Sequence, residues 1–126
     1  MLKYMLDTNI CIYLLKHQPP QVVEHFRNCQ VGDVVISSIT WGELMRGLNI
    51  YQTQADFDRL LAFIQVMPWD RHAGETFGRI MQKIPHKANF DTLIASHAQA
   101  LGLILVTNNE TDFLKFNLRV ENWVAI

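Results

Sequence analysis

Cysteine is scarce in this chain of 126 residues, which contains only Cys11 and Cys29. The two residues do not have the C-x-x-C spacing of many metal and redox sites. Two cysteines are also too few for the disulfide framework of a small secreted domain. We therefore expect two free thiols and a reducing, cytoplasmic environment.

The sequence also lacks long apolar runs, internal repeats and flexible linkers. No stretch reaches the roughly 18 consecutive apolar residues that a membrane-spanning helix requires, and Asp7 and Asn9 interrupt the apolar N-terminal segment. Hydrophobic residues make up 49% of the chain and charged residues 18%, which is typical of a folded core and not of disorder. We predict one domain over residues 1–126 and no association with a membrane.

Positive charge is not in excess either, because the formal net charge is −1. This value argues against a general nucleic-acid coat protein, which would be strongly basic. It is compatible with a nuclease, since an acidic metal site lowers the total charge. The chain has no G-x-x-x-x-G-K, G-x-G-x-x-G or H-E-x-x-H motif, which excludes three common enzyme templates.

What the sequence does contain is a short apolar run, Leu2–Leu6, that ends in a carboxylate. Such a run predicts a buried strand of a parallel sheet. Asp7 follows it directly, and Thr8 and Asn9 come next. Ligands of open α/β sheets bind at the carboxyl ends of the strands, which makes Asp7 a candidate site residue. The alternative is that Asp7 only caps the following helix.

Three further segments bring acids to comparable positions. Glu43 lies one turn into a helix after the strand Val34–Ile36, Asp91 lies near the start of a later helix, and Asp112 follows the strand Leu103–Val106. Each of these acids also has a purely structural interpretation, as a capping residue or as a first-turn acid that favours the helix dipole.

The convergence of these acids is more informative than any one of them. Right-handed crossovers between parallel strands keep all the carboxyl ends at one edge of the sheet. Several carboxylates in a dry cleft cannot all ionise without a counter-charge. Mg²⁺, for which Mn²⁺ can substitute, prefers oxygen ligands and would supply that charge. Spacing alone thus predicts a metal site and leaves the reaction open.

Four segments of the sequence resemble the signature blocks of PIN-domain ribonucleases, and more narrowly those of VapC toxins from bacterial type II toxin–antitoxin modules. They are Met5–Asn9, Ile36–Leu44, Asn89–Ala98 and Val106–Phe113, and the ending Leu118–Trp123 is similar to the tail common in that group. Together the segments extend the resemblance over essentially the whole chain.

The resemblance implies a PIN-like three-layer α/β fold with a central parallel sheet of order 3-2-1-4-5. It implies a Mg²⁺-dependent endoribonuclease that cleaves structured RNA, tRNA among its targets. It also implies a homodimer and a VapB-like antitoxin that inserts a basic side chain into the acidic pocket of a larger toxin–antitoxin complex.

The resemblance also implies roles for individual residues. Asp7 and Asp91 match acids that hold the main ion, Glu43 matches a second ligand or a group that orients the nucleophile, and Asp112 matches a more variable fourth acid. Asn109 stands where many relatives have another Asp. Three polar residues would line the pocket, namely Thr8, Asn9 and Ser38. Three basic residues would lie at the rim and contact RNA, namely Arg46, His86 and Lys87.

Two other classes of protein remain open from the residues alone. One is a different Mg²⁺-dependent phosphoester hydrolase, although such enzymes usually carry Asp-x-Asp after the first strand and here Asn9 replaces the second Asp. The other is a non-catalytic PIN module that acts only through protein partners.

Overall fold

Strands and helices alternate along the chain in the computed structural model, which describes residues 2–84 and 87–125. The strands are short, and the helices provide most of the connections between them. In chain order the elements are β1 (Tyr4–Leu6), α1 (Thr8–Lys16), α2 (Pro20–Arg27), β2 (Val34–Ser37), α3 (Ser38–Met45), α4 (Gln54–Leu61), β3 (Gln65–Met67), α5 (Arg71–Lys83), α6 (Phe90–Leu101), β4 (Ile104–Val106), a 3-10 helix (Glu110–Phe113) and β5 (Val120–Glu121).

The described strands form one parallel sheet with the order β3-β2-β1-β4-β5. The central strand β1 pairs with β2 on one side and with β4 on the other, so that Tyr4 lies between Val34 and Ile104. The predicted α/β fold and its strand order 3-2-1-4-5 are confirmed.

Alternate strand residues face two separate cores, as the pleat of a strand requires. Leu6 and Val106 belong to a core that α1, α2, α3 and α4 cover, whereas Met5 and Leu105 belong to a core that α5 and α6 cover. Helices therefore lie on both faces of the sheet, which confirms the predicted three-layer arrangement. The central strands β1, β2 and β4 are largely buried on both faces, which explains why their sequences are mostly apolar.

Local sequence sets where the helices that border the sheet edge begin and end. Asp7, Asp70 and Asn89 each accept a hydrogen bond from a backbone N–H in the first turn of α1, α5 and α6, respectively. Gly102 ends α6 with φ 68°, in the left-handed region that favours glycine. The helices that carry polar side chains toward the sheet edge thus have well-defined first turns.

Two further predictions concern properties outside the site. Cys11 and Cys29 are free thiols, as expected. Among the residues that the structure describes, none of the helices combines the length and the apolar character that crossing a membrane would require.

Candidate active site

The carboxyl ends of β1, β2 and β4 lie side by side at one edge of the sheet. Asp7 directly follows β1, and its backbone N–H donates to the Val106 carbonyl at the end of β4 at 3.0 Å. Thr107 directly follows β4, and Ser37 ends β2. This edge is where ligands bind in open parallel sheets.

Asp7 is a buried carboxylate, with 5% of its surface exposed. It caps α1 by accepting a hydrogen bond from the Ile10 backbone N–H at 3.0 Å. The pKa of Asp7 is raised from 3.8 to about 6, chiefly because the carboxyl is buried and also because the Asp91 and Glu43 carboxylates lie nearby, while hydrogen bonds from Thr107 and Ile10 oppose the shift. Asp7 therefore both caps a helix and holds a charge that the fold does not neutralise.

Glu43 extends from α3 to the start of α1. The Thr8 hydroxyl donates to Glu43 Oε1 at 2.6 Å, and both residues are half-buried. This hydrogen bond links the residue after Asp7 to the helix that follows β2, so it fixes the Glu43 carboxylate beside the end of β1. Asp7 and Glu43, which follow different strands in the sequence, thus lie close together in the structure.

Asp91 enters the same cluster from the first turn of α6. It is half-buried, and burial raises its pKa, with further increases from the Asp112 and Glu43 carboxylates and an opposing effect of Lys115. Asp91 and Glu43 therefore lie within electrostatic reach of Asp7, and Glu43 and Asp112 lie within reach of Asp91. We call these four residues the acidic cluster.

Asp112 lies in the 3-10 helix and is exposed. The Asn109 side-chain amide donates to its carboxylate, and the Asn109 backbone N–H donates to the Thr107 hydroxyl at 2.9 Å. Asn109 thus organises the loop after β4 and connects Asp112 to the strand end, while it adds no negative charge of its own.

The junction of β2 and α3 is held by α6. The Ser37 hydroxyl caps α3 by accepting from the Ile39 N–H and lies 2.8 Å from Nδ1 of His97, a buried residue of α6. Burial lowers the pKa of His97. The helix with Glu43 is thereby tied to the helix with Asp91.

The remaining predicted residues differ in their exposure and in their hydrogen bonds. Asn9 is exposed on the first turn of α1, and Ser38 is half-buried with its hydroxyl directed to the Trp69 backbone N–H at 3.0 Å. Arg46 is exposed at the C-cap of α3, and Lys87 is exposed in the segment before α6. Within residues 2–84 and 87–125 neither of these two cations forms an ion pair with the acidic cluster. His86 lies outside the described residues.

The sequence patterns predict no role for Thr107 and Lys115, although both residues lie near the cluster. Thr107 is fully buried and donates to Asp7, and Lys115 is the cation whose charge acts on Asp91. A signal for Thr107 does exist, because it is the first residue after a buried strand, as Asp7 is after β1. No comparable signal exists for Lys115, because its proximity to Asp91 depends on how the chain turns after the 3-10 helix.

The chemistry of the donors decides which ion the cluster can accept. In the described part of the chain, no three His, Cys, Asp or Glu side chains are arranged to coordinate one ion as they stand. Mg²⁺ keeps several of its water ligands and is usually bound through only one or two carboxylates. The cluster offers carboxylate and hydroxyl oxygens and neither thiolate nor imidazole, so it fits a hydrated Mg²⁺ or Mn²⁺ better than Zn²⁺.

A parallel sheet of this order with an acidic cluster at its strand ends is the arrangement of a PIN domain. The chain matches the PIN domain family over residues 4–117 and belongs to that family, in its VapC group. It is 39% identical over 132 residues to the tRNA(fMet)-specific endonuclease VapC of Shigella flexneri, which covers 98% of this chain and 99% of the relative. It is also 39% identical over 137 residues to ribonuclease VapC2 of Haemophilus influenzae, which covers 98% of this chain and 100% of the relative.

Solved structures agree with the sequence relatives. The fold is similar to that of VapBC2 from Rickettsia felis bound to a DNA fragment from its promoter, with a TM-score of 0.84 and 31% identity over 97% of this chain and 99% of that chain. This similarity extends over nearly the full length of both chains, so it includes the strand ends that carry the acidic cluster.

Proposed function

We propose that this chain is the toxin of a type II toxin–antitoxin module and that it acts as a Mg²⁺-dependent endoribonuclease on structured RNA, with initiator tRNA as the substrate to test first. The observation that carries the proposal is the acidic cluster, in which Asp7, Glu43 and Asp91 come from three separate segments; Glu43 and Asp91 raise the pKa of Asp7, and Glu43 raises that of Asp91. Relatives named as VapC endonucleases, similar over nearly the whole chain, support the reaction class.

The acidic cluster would hold the metal ion chiefly through Asp7 and Asp91. When bound, a divalent cation stabilises charge on the scissile phosphate and lowers the pKa of an attacking water. Asp7 accepts hydrogen bonds from the Ile10 backbone N–H and the Thr107 hydroxyl, and an ionised carboxylate has about four lone-pair sites, so acceptor capacity remains for the ion. Asp91 projects from the first turn of α6, where the helix dipole favours its ionised form.

Glu43 and Asp112 have different positions from the two main ligands. Glu43 is held at Oε1 by the Thr8 hydroxyl, which leaves its second oxygen to accept a hydrogen bond from a water and to orient it toward the phosphorus atom. Asp112 is exposed, and its carboxylate would add negative charge beside Asp91.

A VapB-like antitoxin would be the protein partner, because the similar solved structures from Rickettsia felis and Salmonella typhimurium are VapBC complexes bound to DNA. We further propose that the chain forms a homodimer within the larger complex. A basic side chain of the antitoxin would neutralise the acidic cluster and so compete with the metal ion.

The test is cleavage of purified tRNA(fMet) by the purified chain with and without Mg²⁺. The wild-type chain should cut the RNA, EDTA should stop cleavage, and Mn²⁺ should restore it. Asp91→Asn should lower the rate by at least about a hundredfold, since it removes a ligand of the ion. The matched control is Asp58→Asn, which removes a carboxylate on the exposed face of α4, outside the cluster.

Each alternative class gives a different result. A phosphoester hydrolase of another kind would leave RNA intact and turn over small phosphate esters in the same buffer. A non-catalytic module would bind the antitoxin and cleave neither substrate. Either result would refute the proposed ribonuclease activity.

A further inference from the structure

A polar groove of about 380 Å³ lies between α5, the C-terminal part of α6 and the segment after the 3-10 helix. We call it the α5–α6 groove. The side chains that matter for its chemistry are His72, Thr76, Arg79, Lys83, Gln99 and Lys115.

The ionisable side chains that line this groove are all basic. Arg79, Lys83 and Lys115 are exposed, and within the described residues none of them makes an ion pair. The ion pair on α5 joins Arg71 to Glu75, which lie outside the groove. In a chain whose net charge is −1, three unpaired cations along one groove form a local surface suited to an anion.

One residue that lines the groove, Lys115, also lies near the acidic cluster. Lys115 lines the groove and follows closely after Asp112, and its charge acts on Asp91. Lys83 ends α5, and only residues 84–89 separate it from the first turn of α6, which contains Asp91. A ligand that enters the cluster can therefore extend over Lys115 into the groove.

The dimensions and neutral groups of the groove also suit an extended polyanion. His72 and Lys83 lie eleven residues apart on α5, which corresponds to about 16 Å at the rise of an α-helix, enough for several phosphates of one strand. The Arg79 guanidinium donates to the Thr76 hydroxyl at 3.3 Å, which holds it along the groove. Gln99 Oε1 is buried and accepts no hydrogen bond from the described residues, so rotation of this side chain would present an acceptor to a ribose 2′-hydroxyl.

We propose that the α5–α6 groove binds the sugar–phosphate backbone of the RNA substrate next to the scissile bond. The inference rests on the proposed ribonuclease function and adds the path of the substrate. The physical reason is that the carboxylates of the acidic cluster repel RNA, so cations beside the cluster must offset that repulsion. Cations in a groove whose Lys115 acts on Asp91 are placed to do so.

The experiment measures binding of fluorescently labelled tRNA(fMet) to the full chain in EDTA, where the proposed metal-dependent cleavage cannot proceed. The double variant Arg79→Gln, Lys83→Gln should bind on the order of tenfold more weakly at about 0.1 M salt, and the slope of log K against log salt should become shallower by about 2. The matched control is Arg71→Gln, Lys16→Gln, which removes the same charge from exposed positions outside the groove. This control should change the affinity by less than about threefold.

A charge-retaining variant protects the test against misfolding. Arg79→Lys, Lys83→Arg should keep both the affinity and the salt slope close to those of the wild-type chain. Groove and control variants that lose affinity equally would overturn the proposal, as would a groove variant with wild-type binding. If the groove variant instead keeps its RNA affinity but changes its oligomeric state in sedimentation, the groove is a contact between copies of the chain and the proposal is wrong.

Failure of this inference and failure of the proposed function give different results. If the wild-type chain cleaves tRNA and the groove variant binds tRNA as well as the wild-type chain does, the ribonuclease function is supported and the role of the groove is refuted. If the wild-type chain does not cleave tRNA in Mg²⁺ and only the groove variant binds tRNA more weakly, RNA binding by the groove is supported and the catalytic function is refuted.

Discussion

Replacement of Asp7 by Asn should stabilise the folded chain at neutral pH, although it removes a residue that the proposed reaction requires. Asn keeps a carbonyl oxygen that can accept from the Ile10 N–H, and Asn is as good an N-cap as Asp. What the variant loses is a buried negative charge that the folded chain disfavours, as shown by the rise in the pKa of Asp7 from 3.8 to about 6. A difference of about two pKa units corresponds to about 3 kcal/mol.

The pH dependence follows from the direction of the shift. Because the pKa of Asp7 is higher in the folded than in the unfolded chain, its contribution to stability is complete below about pH 4 and is lost as the pH rises through about 6. The wild-type chain therefore carries the full penalty at pH 8, about half of it near pH 5 and little below pH 4. The variant carries none, so its advantage should shrink over the same range.

Urea and thermal unfolding in EDTA would measure this effect. At pH 8 the melting temperature of Asp7→Asn should exceed that of the wild-type chain by about 10 °C, given a few degrees per kcal/mol for a domain of this size. The matched control is Asp70→Asn, because Asp70 also caps a helix but is exposed and has a lowered pKa. Asp70→Asn should bring no gain at pH 8.

The reasoning would be refuted if Asp7→Asn were no more stable than the wild-type chain at pH 8. A gain of the same size at pH 8 and pH 4 would also refute it, since removal of a charge cannot act where the carboxyl is already protonated. A gain for both Asp7→Asn and Asp70→Asn would point to improved capping as the cause.

Three further predictions concern neighbouring contacts. Thr8→Val removes the hydroxyl that holds Glu43 and should lower the rate of tRNA cleavage by about tenfold or more. The free energy of unfolding should fall by less than about 1.5 kcal/mol. An unchanged cleavage rate would show that this hydrogen bond is unimportant for activity. Mg²⁺ at about ten times its Kd should stabilise the wild-type chain by about 1.4 kcal/mol, which thermal shifts would detect, and Asp91→Asn should abolish most of this gain. Because burial lowers the pKa of His97, its contribution to stability is complete above about pH 6.5 and is lost as the pH falls. In His97→Gln, the free energy of unfolding measured with urea should therefore fall less steeply below about pH 6.5. A variant with the wild-type pH profile would contradict that assignment.

The positions of the strands and helices could be predicted from the sequence because their signals are local. Continuous apolar runs mark strands that are buried on both faces, and capping residues such as Asp70 mark the starts of helices. The predicted end of a helix is less accurate where no capping residue marks it. The spacing of Phe57, Leu60 and Ile64 predicts one helix from Thr53 to Gln65. In the structure α4 ends at Leu61, and Gln65 begins β3.

The candidate site was only partly predictable for a related reason. Acids that directly follow strands or start helices can be identified along the chain, and Asp7 and Asp91 were identified in that way. Thr107 and Lys115 act on those acids through contacts made across the fold, which no spacing along the chain reveals. The choice between a capping role and a charged site for Asp7 also required the structure, because the residue has both.

The sequence by itself determined the class of fold, the order of its elements and the family, since apolar patterning, helix caps and the four signature segments are written along the chain. Only the tertiary structure decided which charged groups are buried and which lie near one another. It buries Asp7, joins Thr8 to Glu43 by a hydrogen bond, and places Lys115 of the cationic groove where its charge acts on Asp91. The physical reason is that burial and Coulomb interactions depend on distances between residues far apart in the chain. Those distances are set by the crossovers and by the packing of helices on the sheet.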